Sequence, residues 1–151
     1  GERVSLKRAV GTMLNQADGH AMRAFYQCLP CPVPPWQEER AFAAACLHSD
    51  EKCRQPMEQI FYQLGRDKDV SESTGHRLET LLDLQWDDDG FMLTKLARLV
   101  RLAKSKGYAV DCRKLLEDLL YWNGGKQSVQ RKWARALYIK PEAAQDEQEG
   151  A

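Results

Sequence analysis

Apolar residues in this chain return every three or four positions and almost never every second one. Leu115, Leu119 and Trp122 follow that spacing, as do Val129, Trp133 and Leu137, and it places each set on one side of a helix. β-Branched residues are few, and no stretch alternates apolar and polar side chains for the length of a half-buried strand. The pattern predicts an all-α protein, a compact bundle of about seven to eight helices. At 151 residues the chain fits one domain or two small packed halves. Its 43% hydrophobic content is too high for a disordered chain, yet no run nears the roughly 18 apolar residues of a membrane span.

Punctuation residues divide the pattern. A first helix is predicted over 3–15. Asp18 is placed to cap a second, with Met22, Phe25 and Tyr26 on its apolar face. Pro32, Pro34 and Pro35 break that helix, and Pro35 suits the first turn of a third, running through Phe42, Ala45 and Cys46. A short helix follows Pro56 and closes at Gly65, and 66–73 reads as a polar loop. Ser73 or Thr74 would cap the next helix, which holds Leu78, Leu81 and Leu82. Asp87 to Asp89 precede a long helix from about 90 to 105, ended by Gly107. Asp111 caps a helix of leucines, Asn123-Gly124-Gly125 turns, and a last helix covers about 127–138. The organisation expected is an N-terminal helical half over 1–66, a C-terminal half with a basic surface over 72–140, and a mobile acidic tail over 141–151.

A net charge of zero would argue against a polyanion partner if the charges were evenly mixed. They are not. Residues 95–136 hold eleven basic residues against three acids, a surplus of +8. Residues 1–94 carry −5 and residues 137–151 carry −3. Lys95, Arg98 and Arg101 recur every three residues on one flank of their helix, opposite a stripe of Leu93, Leu96, Val100 and Ala103. Arg131 and Arg135 stack four apart on the last helix. Cations held on rigid helices suit a phosphate backbone, because each neutralised phosphate releases condensed counterions. Nothing in the pattern reads base edges, so weak sequence dependence is expected. The bland alternative is that these are merely the solvated faces of amphipathic helices.

The strings Asp111-Cys112-Arg113-Lys114-Leu115-Leu116-Glu117-Asp118-Leu119-Leu120-Tyr121-Trp122 and Val129-Gln130-Arg131-Lys132-Trp133-Ala134-Arg135-Ala136-Leu137-Tyr138 carry a further signal. Together they resemble the C-terminal signature of the CasB family, the small subunit of the type I-E CRISPR surveillance complex, Cascade. The likeness is specific over about 76–139 and looser over 20–48. It implies an all-helical, non-enzymatic subunit that needs no cofactor. It also implies partners: a second copy arranged head-to-tail, the large subunit, the subunits that coat the guide RNA, and the guide RNA and target DNA themselves, above all the displaced single strand. It implies a role in antiviral defence in a prokaryotic cytoplasm, which fits an opening Gly1–Val4 without an apolar secretory core. Matched by position, Arg77, Lys95, Arg98, Lys126, Arg131 and Arg135 become phosphate contacts, followed by Arg101 and Lys132, with Arg23 from the looser region. The acidic run at Asp87–Asp89 would repel DNA, so that face is expected to meet protein or water. The alternative function is a helical protein-interaction scaffold that touches no nucleic acid.

Other features point to chemistry less well. Cys28 and Cys31 form a C-x-x-C pair, with Cys46, His48 and Cys53 downstream. A second close pair is missing and Cys46 lies in an apolar helical run, so reduced thiols are expected rather than a zinc site. His20, His48 and His76 are scattered and suggest no dyad, and Gly124-Gly125-Lys126 lacks the rest of a phosphate loop. No catalytic constellation or metal set emerges. Trp122 and Trp133 are expected in the core, and Trp86 as a protein-contact residue.

Overall fold

The structure is a computed structural model that describes residues 6–29, 32–48, 51–87 and 89–139. Seven helices of two turns or more carry the described fold: α1 (Gly19–Cys28), α2 (Glu38–Cys46), α3 (Met57–Leu64), α4 (Ser71–Leu82), α5 (Phe91–Ser105), α6 (Cys112–Leu120) and α7 (Ser128–Tyr138). The all-α expectation holds, with one exception. Arg54–Gln55 (β1) and Ala109–Val110 (β2) pair in parallel, and the Asp111 N–H extends the ladder to the Gln55 carbonyl at 2.8 Å. Two residues per strand are too few to leave an alternating signal in the sequence.

The helix ends follow local chemistry. The Asp18 side chain accepts the Ala21 N–H at 2.8 Å and starts α1. Asp111 accepts the N–H groups of Arg113 and Lys114 and starts α6. Pro35–Gln37 forms a 3-10 turn that runs directly into α2. Asp87 does not cap a helix itself; its carboxylate holds the Gly90 N–H at 3.1 Å, and Gly90, at φ +77°, is the N-cap of α5. That φ lies in the left-handed region, and a Cβ there would come within 2.8 Å of the Met13 side chain.

Three elements depart from the sequence reading. The helix expected over 3–15 is, from residue 6 on, a single helical turn at 6–8, a hydrogen-bonded turn at 9–11, and a 3-10 turn at Leu14–Gln16. Gly11, at φ +82°, interrupts it. Residues 3–5 of that expectation lie outside the described residues, as do Cys31 and the tail from 140. The loop expected over 66–73 is shorter: α4 begins at Ser71, so Ser73 does not cap it and Thr74 is buried within it. On α1, Ala21, Ala24 and Phe25 face inward, while Met22 and Tyr26 are exposed. Tyr26 donates its hydroxyl to Glu38 instead.

The core has two apolar clusters. The larger joins α3 to α7, with Ile60, Phe61, Leu64, Leu96, Leu99, Leu115, Leu119, Trp122 and Trp133 among its members. The closest helix pairing in it is α3 on α7, and α4 lies against both α5 and α7. The smaller gathers Leu6, Leu14, Phe25, Phe42 and Cys46 from the first part of the chain, and α2 ties it to α6. Phe25 and Phe42 meet edge to face there, with centroids 5.4 Å apart.

Candidate nucleic-acid interface

The aromatic centre of the larger cluster anchors α7, one of the helices that carry the candidate cations. Trp122 and Trp133 are both 0% exposed, with ring centroids 5.0 Å apart, as the sequence suggested. The Trp122 indole N–H donates to the Leu84 carbonyl at 2.8 Å. Trp86 differs from its expectation: it is only 6% exposed. Its backbone N–H and carbonyl are both held by the Asn123 side chain, and the Arg40 guanidinium lies 5.4 Å from its ring centroid. Partners distant in sequence engage it, so its acidic neighbours in sequence were misleading. Trp36, by contrast, is 65% exposed.

With that centre packed, α5 turns Leu93, Leu96, Val100 and Ala103 inward and leaves Thr94, Arg98, Arg101 and Lys104 exposed. Lys95 is half-buried, its ammonium 5.4 Å from the Phe91 ring centroid. On α7 the outward stripe is Ser128, Arg131, Arg135 and Tyr138. Arg77 is exposed on α4, the helix packed against both. Lys126 is exposed in the turn that leads into α7. Arg23 is exposed on α1, within the other cluster's helices, and is not drawn to this group. Among the described residues no carboxylate pairs with Arg77, Arg98, Arg101, Lys126, Arg131 or Arg135.

Lys132 sits differently. Its ammonium donates to an Asp118 oxygen at 2.8 Å and stands 3.9 Å from Glu58. The other Asp118 oxygen accepts the Trp133 indole N–H at 3.2 Å, and Asp118 is only 5% exposed. Burial pushes the Asp118 carboxyl above its ordinary value, against the opposing pull of Lys132 and Trp133. Burial acts to lower the Lys132 ammonium, but its hydrogen bond and charge contact with Asp118, helped by Glu58 and Glu117, hold it above its ordinary value. The internal acid was not singled out from sequence. Its signal was there: Asp118 falls between Leu115 and Trp122, on the apolar stripe of α6. Lys106 is also engaged, 3.5 Å from Asp67 and 3.6 Å from Asp69.

This pair makes a testable prediction. A carboxyl whose folded pKa is raised favours folding most below its unfolded pKa, and that contribution declines as pH rises through the carboxylate range. Asp118→Asn keeps an oxygen for the Trp133 N–H and removes that decline. It should cost about 1 kcal/mol or less at neutral pH, and improve relative to the parent between about pH 4 and 7. Asp118→Ala orphans the indole N–H and should cost about 2–3 kcal/mol. Denaturant midpoints of the two variants across that pH range provide the check.

A cleft of about 340 Å³ lies beside the pair, lined by Glu58, Glu117, Asp118, Lys114, Lys132 and Tyr121 among others. Three carboxylates around it make it a poor seat for phosphate. The exposed cations without a carboxylate partner among the described residues lie on the helix flanks, outside this concavity. His48 Nδ1 lies 3.1 Å from the Cys112 sulfur, a contact the sequence did not suggest. Cys46 is buried in the smaller cluster and its thiol is pushed up to about 12 by desolvation, which makes it an inert core residue. Cys28 and Cys53 are exposed. No group of three or more metal-ligating side chains occurs among the described residues, and none of their helices is long and apolar enough to cross a membrane.

Fold and site together define a helical module with a packed tryptophan centre and exposed cations on α5 and α7 that have no carboxylate partner among the described residues. By its sequence the chain belongs to the CRISPR-associated protein Cse2 family, whose model matches residues 2–138. This family, also called CasB, is one of Cascade subunits. Solved structures share the fold. M. ruber CasB matches with a TM-score of 0.68 at 22% identity, covering 99% of this chain and 89% of that one. A Cse2-family CRISPR-associated protein from Thermus thermophilus also gives 0.68 at 22% identity, over 91% of this chain and 85% of that one. A separate structure of CasB from Thermus thermophilus gives 0.66 at 21% identity, over 91% and 84%. No curated protein sequence matches the chain.

Proposed function

We propose that this chain is the non-catalytic small subunit of an RNA-guided Cascade complex, where it holds nucleic-acid backbone without sequence preference and stabilises opened target DNA through the displaced strand. The observation that carries this reading is the set of exposed cations on α5 and α7, Arg98, Arg101, Arg131 and Arg135, with no carboxylate partner among the described residues. Arg77 and Lys126 extend the set, and Lys95 flanks it. Arg23 would add a separate contact on α1. Lys132 contributes least, because Asp118 already engages its ammonium.

Rigid helices hold these charges without the entropy cost of ordering a loop on each contact. Guide pairing exchanges one duplex for another of similar stability, so a few phosphate contacts on the freed strand can tip the exchange. Assembly with the other Cascade subunits and a second copy of the chain would supply high effective concentration, so tight binding by the isolated subunit is not required.

The test is a titration of single-stranded DNA at several salt concentrations. Binding should be weak, tolerant of sequence, and steeply weakened by salt. No binding at low salt, with the double variant Arg131→Ala/Arg135→Ala still blocking assembly with partner subunits, would favour the scaffold reading. The exposed Trp36 and Tyr121, each 65% exposed, are the surface features that suit protein contacts.

A further inference from the structure

The α5 helix carries an aromatic ring at the head of its basic flank. Phe91, its first residue, is 54% exposed, while Met92 and Leu93 beside it are each 1% exposed. The backbone before the ring is held firmly. Asp87 accepts the Gly90 N–H at 3.1 Å, and the Gly90 carbonyl accepts both the N–H and the hydroxyl of Thr94 at 3.0 Å. At 3.6 residues per turn, Lys95 and Arg98 fall within about 40° of Phe91 around the helix, and about 6 and 10 Å along it. The Lys95 ammonium lies 5.4 Å from the ring centroid, within cation–π range. Tyr26, Tyr62 and Tyr121 are also exposed, but their surroundings differ. Tyr26 donates to Glu38, Tyr62 is covered by the Arg66 guanidinium at 3.5 Å, and Tyr121 lines the cleft of three carboxylates.

We propose that Phe91 is a stacking platform for one unpaired base of single-stranded DNA whose phosphates lie along Lys95, Arg98 and Arg101. The proposal rests on the reading of the α5 flank as a phosphate-binding surface. The cations call for an anionic partner and the ring for a flat apolar face. A single strand carries both in every nucleotide. Every base has a π-face, so the ring takes one without reading its edges. A duplex keeps those faces inside its stack, and exposing one costs energy, so the ring favours an opened strand over a closed one. Asp87 and Asp89 stand just before the ring and repel phosphate, which ends the backbone's path at Phe91.

The test compares the full chain with its Phe91→Ala, Phe91→Leu and Phe91→Tyr variants. Affinities are measured for an oligothymidine of about 20 nucleotides, an abasic strand of the same length and a duplex of the same length. Phe91→Ala should bind the oligothymidine about five- to twenty-fold more weakly at ~50 mM salt, and by the same factor at ~200 mM, because stacking releases no counterions. Arg98→Ala should instead flatten the salt slope by about 0.7. Phe91→Tyr keeps the ring and should stay within about two-fold of the parent. Phe91→Leu keeps apolar bulk without the ring and should fall with Phe91→Ala. On the abasic strand and the duplex all four proteins should agree within about two-fold. Denaturant midpoints check folding, and the contrast of Phe91→Tyr with Phe91→Leu decides the matter should Phe91→Ala lose stability. Equal affinities of the parent and Phe91→Ala for oligothymidine overturn the stacking and leave the phosphate reading intact. So does a loss repeated on the abasic strand, or a Phe91→Leu variant that matches the parent. If the parent does not bind oligothymidine at ~50 mM salt, the phosphate reading and the stacking both fall.

Discussion

Replacing Arg98, Arg101, Arg131 and Arg135 together by alanine is expected to lower affinity for single-stranded DNA about 10²- to 10³-fold at ~0.1 M salt. The magnitude follows from counterion release. Each phosphate contact to a single strand contributes about 0.7 to the slope of log affinity against log salt. Four lost contacts should therefore flatten that slope by about three units. All four side chains are exposed and make no ion pair among the described residues, so the fold should lose under about 0.5 kcal/mol apiece. The slope and the thermal midpoint are measured on the same protein. A flattened slope with an unchanged midpoint assigns the charges to nucleic acid. An unchanged slope sinks the assignment. Lys132→Ala is the informative contrast. Its ammonium is held by Asp118, so its removal should touch stability more than the salt slope.

The second large effect concerns Trp133. Its ring is fully buried, packs on Trp122 and Phe61, and donates to Asp118. Trp133→Ala should cost about 3–5 kcal/mol. A domain of this size has roughly 5–15 kcal/mol in total, so much of the population would unfold at modest denaturant concentration. Trp36→Ala, at a 65% exposed position, should change stability by less than about 0.5 kcal/mol. Chemical denaturation of both variants separates the two roles a tryptophan can have. A Trp133→Ala midpoint near the parent's would mean that the cluster around this ring is not the one that holds the fold.

Much of this was legible because the relevant forces act over short sequence distance. Asp18 and Asp111 cap their helices because a carboxylate can reach N–H groups two or three residues ahead. The α5 stripe and the inward set of α7 follow from helical period alone. What was not legible depends on partners far along the chain. Trp86 is buried by Asn123 and Arg40, and neither is a sequence neighbour. The β1–β2 pair joins residues 55 positions apart through two residues on each side. For the basic surface, the sequence separated charge by position but could not separate employed cations from idle ones. Lys132 and Lys106 counted toward the surplus, but the fold engages Lys132 with the buried Asp118 and Lys106 with Asp67 and Asp69. The exposed remainder on α5 and α7 is a smaller and more specific set than the surplus implied.

The packing of α3 on α7 also sets a schedule. Ile60, Phe61 and Leu64 face a helix that begins at residue 128. A ribosome adds roughly 5–20 residues per second, so the apolar face of α3 waits several seconds for its cover. During that interval the nascent chain displays a hydrophobic stripe with α4 as its only early neighbour helix among the contacts described. Among the described helices α7 is thus both an exposed basic face and the element that covers α3. A chain stopped short of residue 128 would offer that stripe to chaperones, to proteases or to another unfinished copy.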